Sequence, residues 1–187
     1  MKNSILLKEI AEIRFGINGK GMKGMQIPFI QVKDYSDGKS ICESDVFSVS
    51  LETIKDRDIL KPGDILFAGK GSKSFSVVWN NDLINAVASS TFYVIQVIDK
   101  MVLPEYLSYF LNSEIAQSYF INNMYGVSIK NISKKVLEGL IVVVPEIIEQ
   151  QKIVKMNELW DREQYLMKQL IQKKDKLYNK LFTQKIN

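Results

Sequence analysis

Apolar and polar residues alternate with the period of strands in one long segment of the chain, and with the period of helices before and after it. After the opening residues and up to about residue 103, apolar runs are short, β-branched or aromatic, and separated by Gly, Asn, Asp and Ser, a pattern typical of strands. The predicted strands are Ile27 to Val32, Val46 to Val49, Asp64 to Phe67, Phe75 to Trp79 and Thr91 to Ile98.

Helical spacing occurs before and after this β-rich segment. Ile5 to Ile13 has apolar residues at helical spacing behind Ser4, a suitable N-cap, which predicts a short opening helix. Helical spacing returns from Pro104 to Phe120, and a short helix is predicted around Ser133 to Leu137.

The strand Leu140 to Val144 follows, and Pro145 ends it. The pattern predicts an α+β fold for residues 1–145, with a mixed β-sheet core and peripheral helices.

The segment after Pro145 is rich in Glu, Gln, Lys and Leu and lacks Gly and Pro. This composition predicts one helix from Glu146 to about Thr183, ~57 Å long. Alternating steps of three and four define a heptad seam, which predicts a coiled coil. The seam residues, our candidates for dimerisation, are Ile153, Met156, Trp160, Glu163, Met167, Leu170, Lys174, Leu177 and Leu181.

Further apolar residues beside the seam widen the stripe beyond that of a two-stranded coil, so more than one partner helix is expected. The alternative is that the helix folds back on its own domain. These flanking residues are Val154, Leu166, Ile171, Tyr178 and Phe182.

Charge along this helix favours an antiparallel pair. Residues 146–167 contain five acidic and three basic side chains, whereas residues 168–187 contain six lysines and one aspartate. Two antiparallel copies would set the acidic half of each against the basic half of the other. A register centred between Lys168 and Gln169 places Glu163 opposite the partner's Lys174. We therefore predict that residues 146–187 form a dimerisation helix.

Composition narrows the possible chemistry. The chain has no histidine and one cysteine, Cys42, which excludes a structural zinc site and removes the commonest general base. No apolar run is long enough to span a membrane, and Met1 to Ile13 does not have the pattern of a signal peptide. We expect a cytoplasmic protein.

Net charge is +4 with a pI of about 9.0. Residues 1–145 hold 16 basic and 15 acidic residues, so local clusters must indicate any polyanion site. Three acid-free clusters combine lysine, glycine and hydroxyl or amide groups: residues 18–24, 69–74 and 125–131, the last followed by Lys134 and Lys135. Such loops suit contacts to DNA phosphates and base edges. The candidate DNA-binding residues are Lys20, Lys23, Lys70, Ser72, Lys73, Tyr125, Ser128, Lys130 and Asn131.

The sequence partly resembles two enzyme motifs but matches neither of them. Five residues separate Gly63 from Gly69, and Gly71 follows Lys70, so the phosphate-binding loop of nucleotide hydrolases is absent. Asp34 and the triplet Asp37-Gly38-Lys39 could serve a metal-dependent nuclease. Their spacing is better explained as turn chemistry.

Several segments in order resemble the specificity subunits of type I restriction-modification systems, above all the strand, proline and Glu-Gln opening of the last helix. The resemblance covers the whole chain. The segments are Leu7 to Ile13, Ile27 to Ile30, Leu60 to Phe67, Tyr106 to Leu111 and Val144 to Ile153.

The resemblance implies a half-length subunit, because family members usually carry two target-recognition domains, each followed by a helix. A natural half-subunit, a truncated product and an engineered fragment all fit this pattern. A homodimer would then recognise a split DNA sequence with symmetric halves.

The resemblance also implies adenine-methylating modification subunits and restriction subunits as partners. S-adenosylmethionine, ATP and Mg would belong to those subunits, so this chain is expected to bind no cofactor or metal and to catalyse nothing. The rival hypotheses are a metal-dependent nuclease and a coiled-coil adaptor that never binds DNA.

Overall fold

The computed structural model describes residues 3–19, 27–35, 47–49, 54–70, 74–80, 85–124 and 131–186. These residues form nine strands and five α-helices. The strands are β1 (Asn3–Leu6), β2 (Ala11–Phe15), β3 (Ile27–Ile30), β4 (Phe47–Val49), β5 (Ile65–Ala68), β6 (Phe75–Val78), β7 (Val87–Ala88), β8 (Phe92–Val97) and β9 (Ile141–Val144). The helices are α1 (Leu7–Ile10), α2 (Pro104–Asn112), α3 (Glu114–Asn123), α4 (Lys134–Glu138) and α5 (Ile147–Ile186).

A four-stranded antiparallel sheet in the order β2-β8-β5-β6 lies at the centre of the domain. Successive side chains of a strand point to opposite faces, and both faces of β5 and β8 are buried. Phe67 and Tyr93 belong to the first hydrophobic core, and Leu66 and Val94 belong to the second. Burial on both faces explains why β5 and β8 have continuous apolar runs.

The first core lies between the central sheet and the helices. It includes Leu107 and Leu111 of α2 and Phe120 of α3, all fully buried. The small sheet β1-β9 contributes Val142 and Val144 to the same core.

The second face of the central sheet packs against residues near a smaller sheet of order β4-β3-β7. In this sheet β3 is antiparallel to β4 and parallel to β7, so the sheet is mixed. The α+β class with mixed sheet and peripheral helices is therefore confirmed.

The turn before β5 explains why the segment from Leu60 to Phe67 contains a glycine followed by an aspartate. Gly63 has φ of 89°, a conformation that favours glycine. The buried Asp64 Oδ2 accepts hydrogen bonds from the Lys61 backbone N–H at 3.0 Å and from Arg14 Nη2 at 3.2 Å. Burial raises the pKa of Asp64, while the Lys61 amide and the Arg14 guanidinium act in the opposite direction.

The predicted opening helix is wrong in extent. Only Leu7–Ile10 is helical, and the flanking residues form β1 and β2. The N-cap is Leu6 instead of Ser4, which lies in β1. Pairing of β1 with β9 and of β2 with β8 satisfies backbone groups that a longer helix would use internally.

The long helix predicted from Glu146 to Thr183 is observed as Ile147–Ile186. Its first turns pack on the domain, where Ile153 and Val154 contact the first core. The side chains described from Arg162 onward are almost all exposed. None of the helices in the described ranges is long and apolar enough to cross a membrane.

Candidate nucleic-acid interface

Two of the three lysine- and glycine-containing clusters meet in space. Lys70 and Asn131 form an antiparallel β-bridge, and the Ile132 backbone N–H donates to the Gly69 carbonyl at 2.9 Å. Both Lys70 and Asn131 are exposed. The start of the second loop and the end of the third loop are therefore neighbours.

The first cluster begins at the same place. Lys70 Nζ donates to the Ser90 carbonyl at 3.2 Å, and the Ser90 backbone N–H donates to the Ile17 carbonyl at 2.8 Å. Ile17 directly precedes Asn18, where the first cluster starts. We call this region, formed by residues 17–18, 69–70, 90 and 131–132, the loop junction.

Gly16 allows the first loop to start at the loop junction. A Cβ at this position would lie 2.0 Å from the Ser89 carbonyl oxygen and 2.6 Å from that of Ala88. The close approach lets the Ile17 backbone N–H donate to the Ala88 carbonyl at 2.8 Å. Any residue with a side chain would push β2 away from the Ser89 backbone.

Gly69 and Tyr93 fix the described end of the third loop, at Asn131 and Ile132. A Cβ at Gly69 would lie 2.7 Å from Tyr93 Cε2, so only glycine leaves room for the ring. The buried Tyr93 hydroxyl donates to the Ile132 carbonyl at 2.9 Å. Burial raises the pKa of Tyr93, which keeps the hydroxyl protonated and able to donate at neutral pH.

The far end of the second loop is attached to the helices. Ser74 Oγ donates to Gln117 Oε1 at 2.6 Å. Two residues later, Asn112 Oδ1 accepts from the Ser76 N–H at 2.7 Å and its Nδ2 donates to the Ser76 carbonyl at 2.8 Å. The loop between Lys70 and Ser74 thus has both ends fixed on a packed scaffold.

Seven of the nine candidate DNA-binding residues lie outside the described residues, so only Lys70 and Asn131 are placed. Sequence reasoning missed the importance of Ser90, Gly16 and Tyr93 for this region. The glycine between Phe15 and Ile17 was a usable signal, since an isolated glycine at a strand end marks a close backbone approach. The seven residues are Lys20, Lys23, Ser72, Lys73, Tyr125, Ser128 and Lys130.

Asp34 has a structural role in the described chain. It is buried, and its Oδ2 accepts a hydrogen bond from the Gln31 backbone N–H at 2.7 Å, closing a 3₁₀ turn from Val32 to Asp34. This geometry confirms turn chemistry for Asp34, while Asp37 lies outside the described residues. No group of three or more potential metal ligands occurs within the described part of the chain.

The helix α5 has two distinct faces near the domain. Gln150 is fully buried, and Asn157 is half-buried, on the face towards the domain. Ile153, placed in the heptad seam by the sequence, packs against the domain's own core. The apolar residues turned away from the domain are 48% to 63% exposed, and we call them the outer stripe: Met156, Trp160, Met167, Leu170, Leu177 and Leu181.

The outer stripe continues past the end of the contact with the domain. Glu163 and Lys174 lie within it and are exposed. Additional exposed apolar residues flank the stripe over its whole length, including Leu159, Leu166, Ile171, Tyr178 and Phe182. The alternative of a helix folded onto its own domain therefore describes only the first turns of α5.

Comparison with known proteins identifies the family. A family model described as the type I restriction modification DNA specificity domain matches residues 3–174. Because the match covers most of the sequence, the chain belongs to this family. A search of curated protein sequences gave no match.

Solved structures show the same fold. A chain from a study of complex assembly and conformational transition of the type I R-M system is similar with a TM-score of 0.63 and 19% identity. The type I restriction-modification S subunit from M. genitalium is similar with a TM-score of 0.60 and 12% identity. The HsdS subunit from Thermoanaerobacter tengcongensis is similar with a TM-score of 0.60 and 17% identity. Each match covers 87% of this chain but only 38% or 39% of the other, so this chain spans about two fifths of their length.

Proposed function

We propose that this chain is a DNA-recognition module that binds one half of a split double-stranded DNA sequence. The observation that carries this proposal is the loop junction, where one described end of each of the three predicted DNA-binding loops lies beside the other two. Loops whose ends are attached to a rigid scaffold suit recognition, because binding and specificity residues are commonly carried on loops of this kind. Membership of the specificity-domain family supports the same function.

The helix α5 is proposed to join two copies in an antiparallel coiled coil. Exposed apolar residues follow the outer stripe from Met156 to Leu181, and a second copy would remove them from water. In the proposed register, Glu163 of each copy lies opposite Lys174 of the other. The homodimer would then present two identical reading domains at a separation set by α5.

Catalysis is assigned to partner subunits. Modification subunits carrying S-adenosylmethionine and restriction subunits using ATP and Mg would assemble on the homodimer, and this chain would contribute recognition alone. The rival nuclease hypothesis is weakened by Asp34, whose carboxylate caps a turn.

Selection from a random duplex library tests the proposal. The purified chain should enrich a sequence with two inverted half-sites at one fixed gap, with and without modification subunits. A single uninterrupted motif would contradict the split-site reading, and absence of enrichment under both conditions would contradict DNA recognition. Cleavage of the library by the chain in the presence of magnesium would favour the nuclease instead.

A further inference from the structure

The helix α5 contacts the domain at a second point far from the helix start. Tyr109 of α2 donates its hydroxyl hydrogen to Asp161 Oδ2 at 3.3 Å. Gln150 fixes the beginning of α5 by bonds to Leu103, Met101 and Pro145. Asp161 lies eleven positions after Gln150, which is ~16 Å along a helix. Two attachment points this far apart define a direction, whereas one point would leave the helix free to pivot.

The second attachment point lies beside a cleft. A cleft of about 300 Å³ lies between α2, β6 and α5, and Tyr109 and Asp161 line it. Glu105 on α2 and Glu158 on α5 line the same cleft. Carboxylates of like charge on the two helices favour their separation; the ion pair of Glu158 with Lys155 at 3.3 Å weakens this repulsion, and the Tyr109 hydrogen bond opposes it.

Tyr109 is suited to donate to a carboxylate at neutral pH. Burial, followed by the charge of Asp161, raises its pKa to about 12. The hydroxyl therefore remains protonated, and donation to a charged acceptor is stronger than donation to a neutral one.

The far part of α5 acts as a lever. Residues 162–186 extend ~37 Å beyond Asp161 at ~1.5 Å per residue. A swing of ~5° at Asp161 would move the far end by ~3 Å, close to the rise of one base pair, ~3.4 Å. Small changes in helix direction would therefore shift the reading domains by a whole base pair.

We infer that the Tyr109–Asp161 contact fixes the gap length that the homodimer accepts between its two half-sites. This inference rests on the proposed split-site function. Tyr109 and Asp161 are positioning residues, because they act through the direction of α5 and are not expected to touch DNA.

The first test measures a ratio: the affinity for the selected duplex at its best gap, divided by the affinity at gaps one base pair shorter or longer. Tyr109→Phe removes one hydroxyl and should lower this ratio by about five-fold, the population shift expected from one ordinary hydrogen bond. Binding to a single half-site should stay unchanged. Asp161→Ala should act like Tyr109→Phe, and Asp161→Asn, which keeps an acceptor oxygen, should retain much of the preference.

The matched control is Tyr119→Phe. The Tyr119 hydroxyl donates to the Val136 carbonyl at 3.1 Å inside the domain, so this variant loses a similar bond without affecting α5. It should keep the wild-type gap preference. An equal loss in both tyrosine variants, or an unchanged ratio in Tyr109→Phe, would overturn the inference.

A second measurement does not need DNA. Spin labels at Lys8 and Asn179, introduced after Cys42→Ser and diluted with unlabelled chain, report the distance between the domain and the far part of α5. Tyr109→Phe should broaden this distance distribution, whereas Tyr119→Phe should not. Broadening with unchanged gap preference would overturn the inference, while failure of the wild type to bind any split site would overturn the proposed function itself.

Discussion

Gln150 and Leu103 join the long helix to the domain through one partly buried hydrogen bond. The Leu103 backbone N–H, at the N-terminus of α2, donates to Gln150 Oε1 at 2.9 Å. The same side chain donates from Nε2 to the carbonyls of Met101 at 2.7 Å and Pro145 at 2.8 Å. Gln150 itself has no exposed surface and bonds three backbone groups, of which the bond to Pro145 is buried and the other two are partly buried. This is the physical reason for a glutamine at the opening of α5.

Replacing Gln150 with alanine should destabilise the fold strongly. The change removes the three hydrogen bonds of Gln150 to Leu103, Met101 and Pro145, at ~0.5–1.5 kcal/mol for each bond. We expect a loss of roughly 3 kcal/mol in the free energy of unfolding, measured by urea denaturation. Gln151→Ala is the control, because Gln151 is exposed and should change stability by less than ~0.5 kcal/mol. Equal effects at both positions would contradict this account of the helix start.

Replacing Lys70 with alanine should weaken DNA binding, because it removes a proposed phosphate contact. The slope of log affinity against log salt should fall by about one unit, with little change in base preference. Stability should change by less than ~0.5 kcal/mol, because the side chain is exposed. Lys8→Ala removes an exposed lysine from α1 and should leave the slope unchanged. An unaltered salt slope in Lys70→Ala would remove Lys70 from the DNA interface.

Replacing Gly16 with alanine should disrupt the loop junction. The new Cβ would meet the Ser89 carbonyl oxygen at 2.0 Å, so one strand must move. We expect a loss of at least ~3 kcal/mol, at the upper end of overpacking costs, in thermal or urea unfolding. Gly139→Ala is the control, since the atom nearest to its new Cβ is the Tyr119 hydroxyl oxygen at 3.2 Å. A Gly16→Ala chain as stable as wild type would show that the close approach is not required.

Charge exchange between Glu163 and Lys174 tests the register of the dimer. Lys174→Glu should weaken self-association, because the changed residue would face Glu163 of the second copy. Adding Glu163→Lys should restore association, measured by sedimentation equilibrium. Lys176→Glu makes the same charge change outside the heptad seam and should have a smaller effect. Failure of the double variant to recover would exclude this register.

Elements with a strong local signal were predictable from the sequence. The absence of Gly and Pro after Pro145 predicted α5 to within a few residues. The helices α2 and α4 and the strands β5, β6 and β8 also follow their local patterns.

Elements that depend on distant partners were not predictable. The apolar spacing of residues 5–13 fits a helix, yet long-range strand pairing overrides it. The two-residue strand Val87–Ala88 exists because it pairs with Phe29 and Ile30. In the same way, composition indicated Lys70 and Asn131 separately, but only the fold brings them together.

The mass of the complex formed on a selected duplex most directly tests the claim that α5 joins two DNA-reading domains. Sedimentation of the 21.5 kDa chain with a duplex carrying one split site gives the number of chains bound. We predict that two wild-type chains bind each duplex. When Leu170→Glu disrupts the outer stripe, we predict that one chain binds a duplex cut to a single half-site. A single chain bound to the intact split site at saturation would contradict the account.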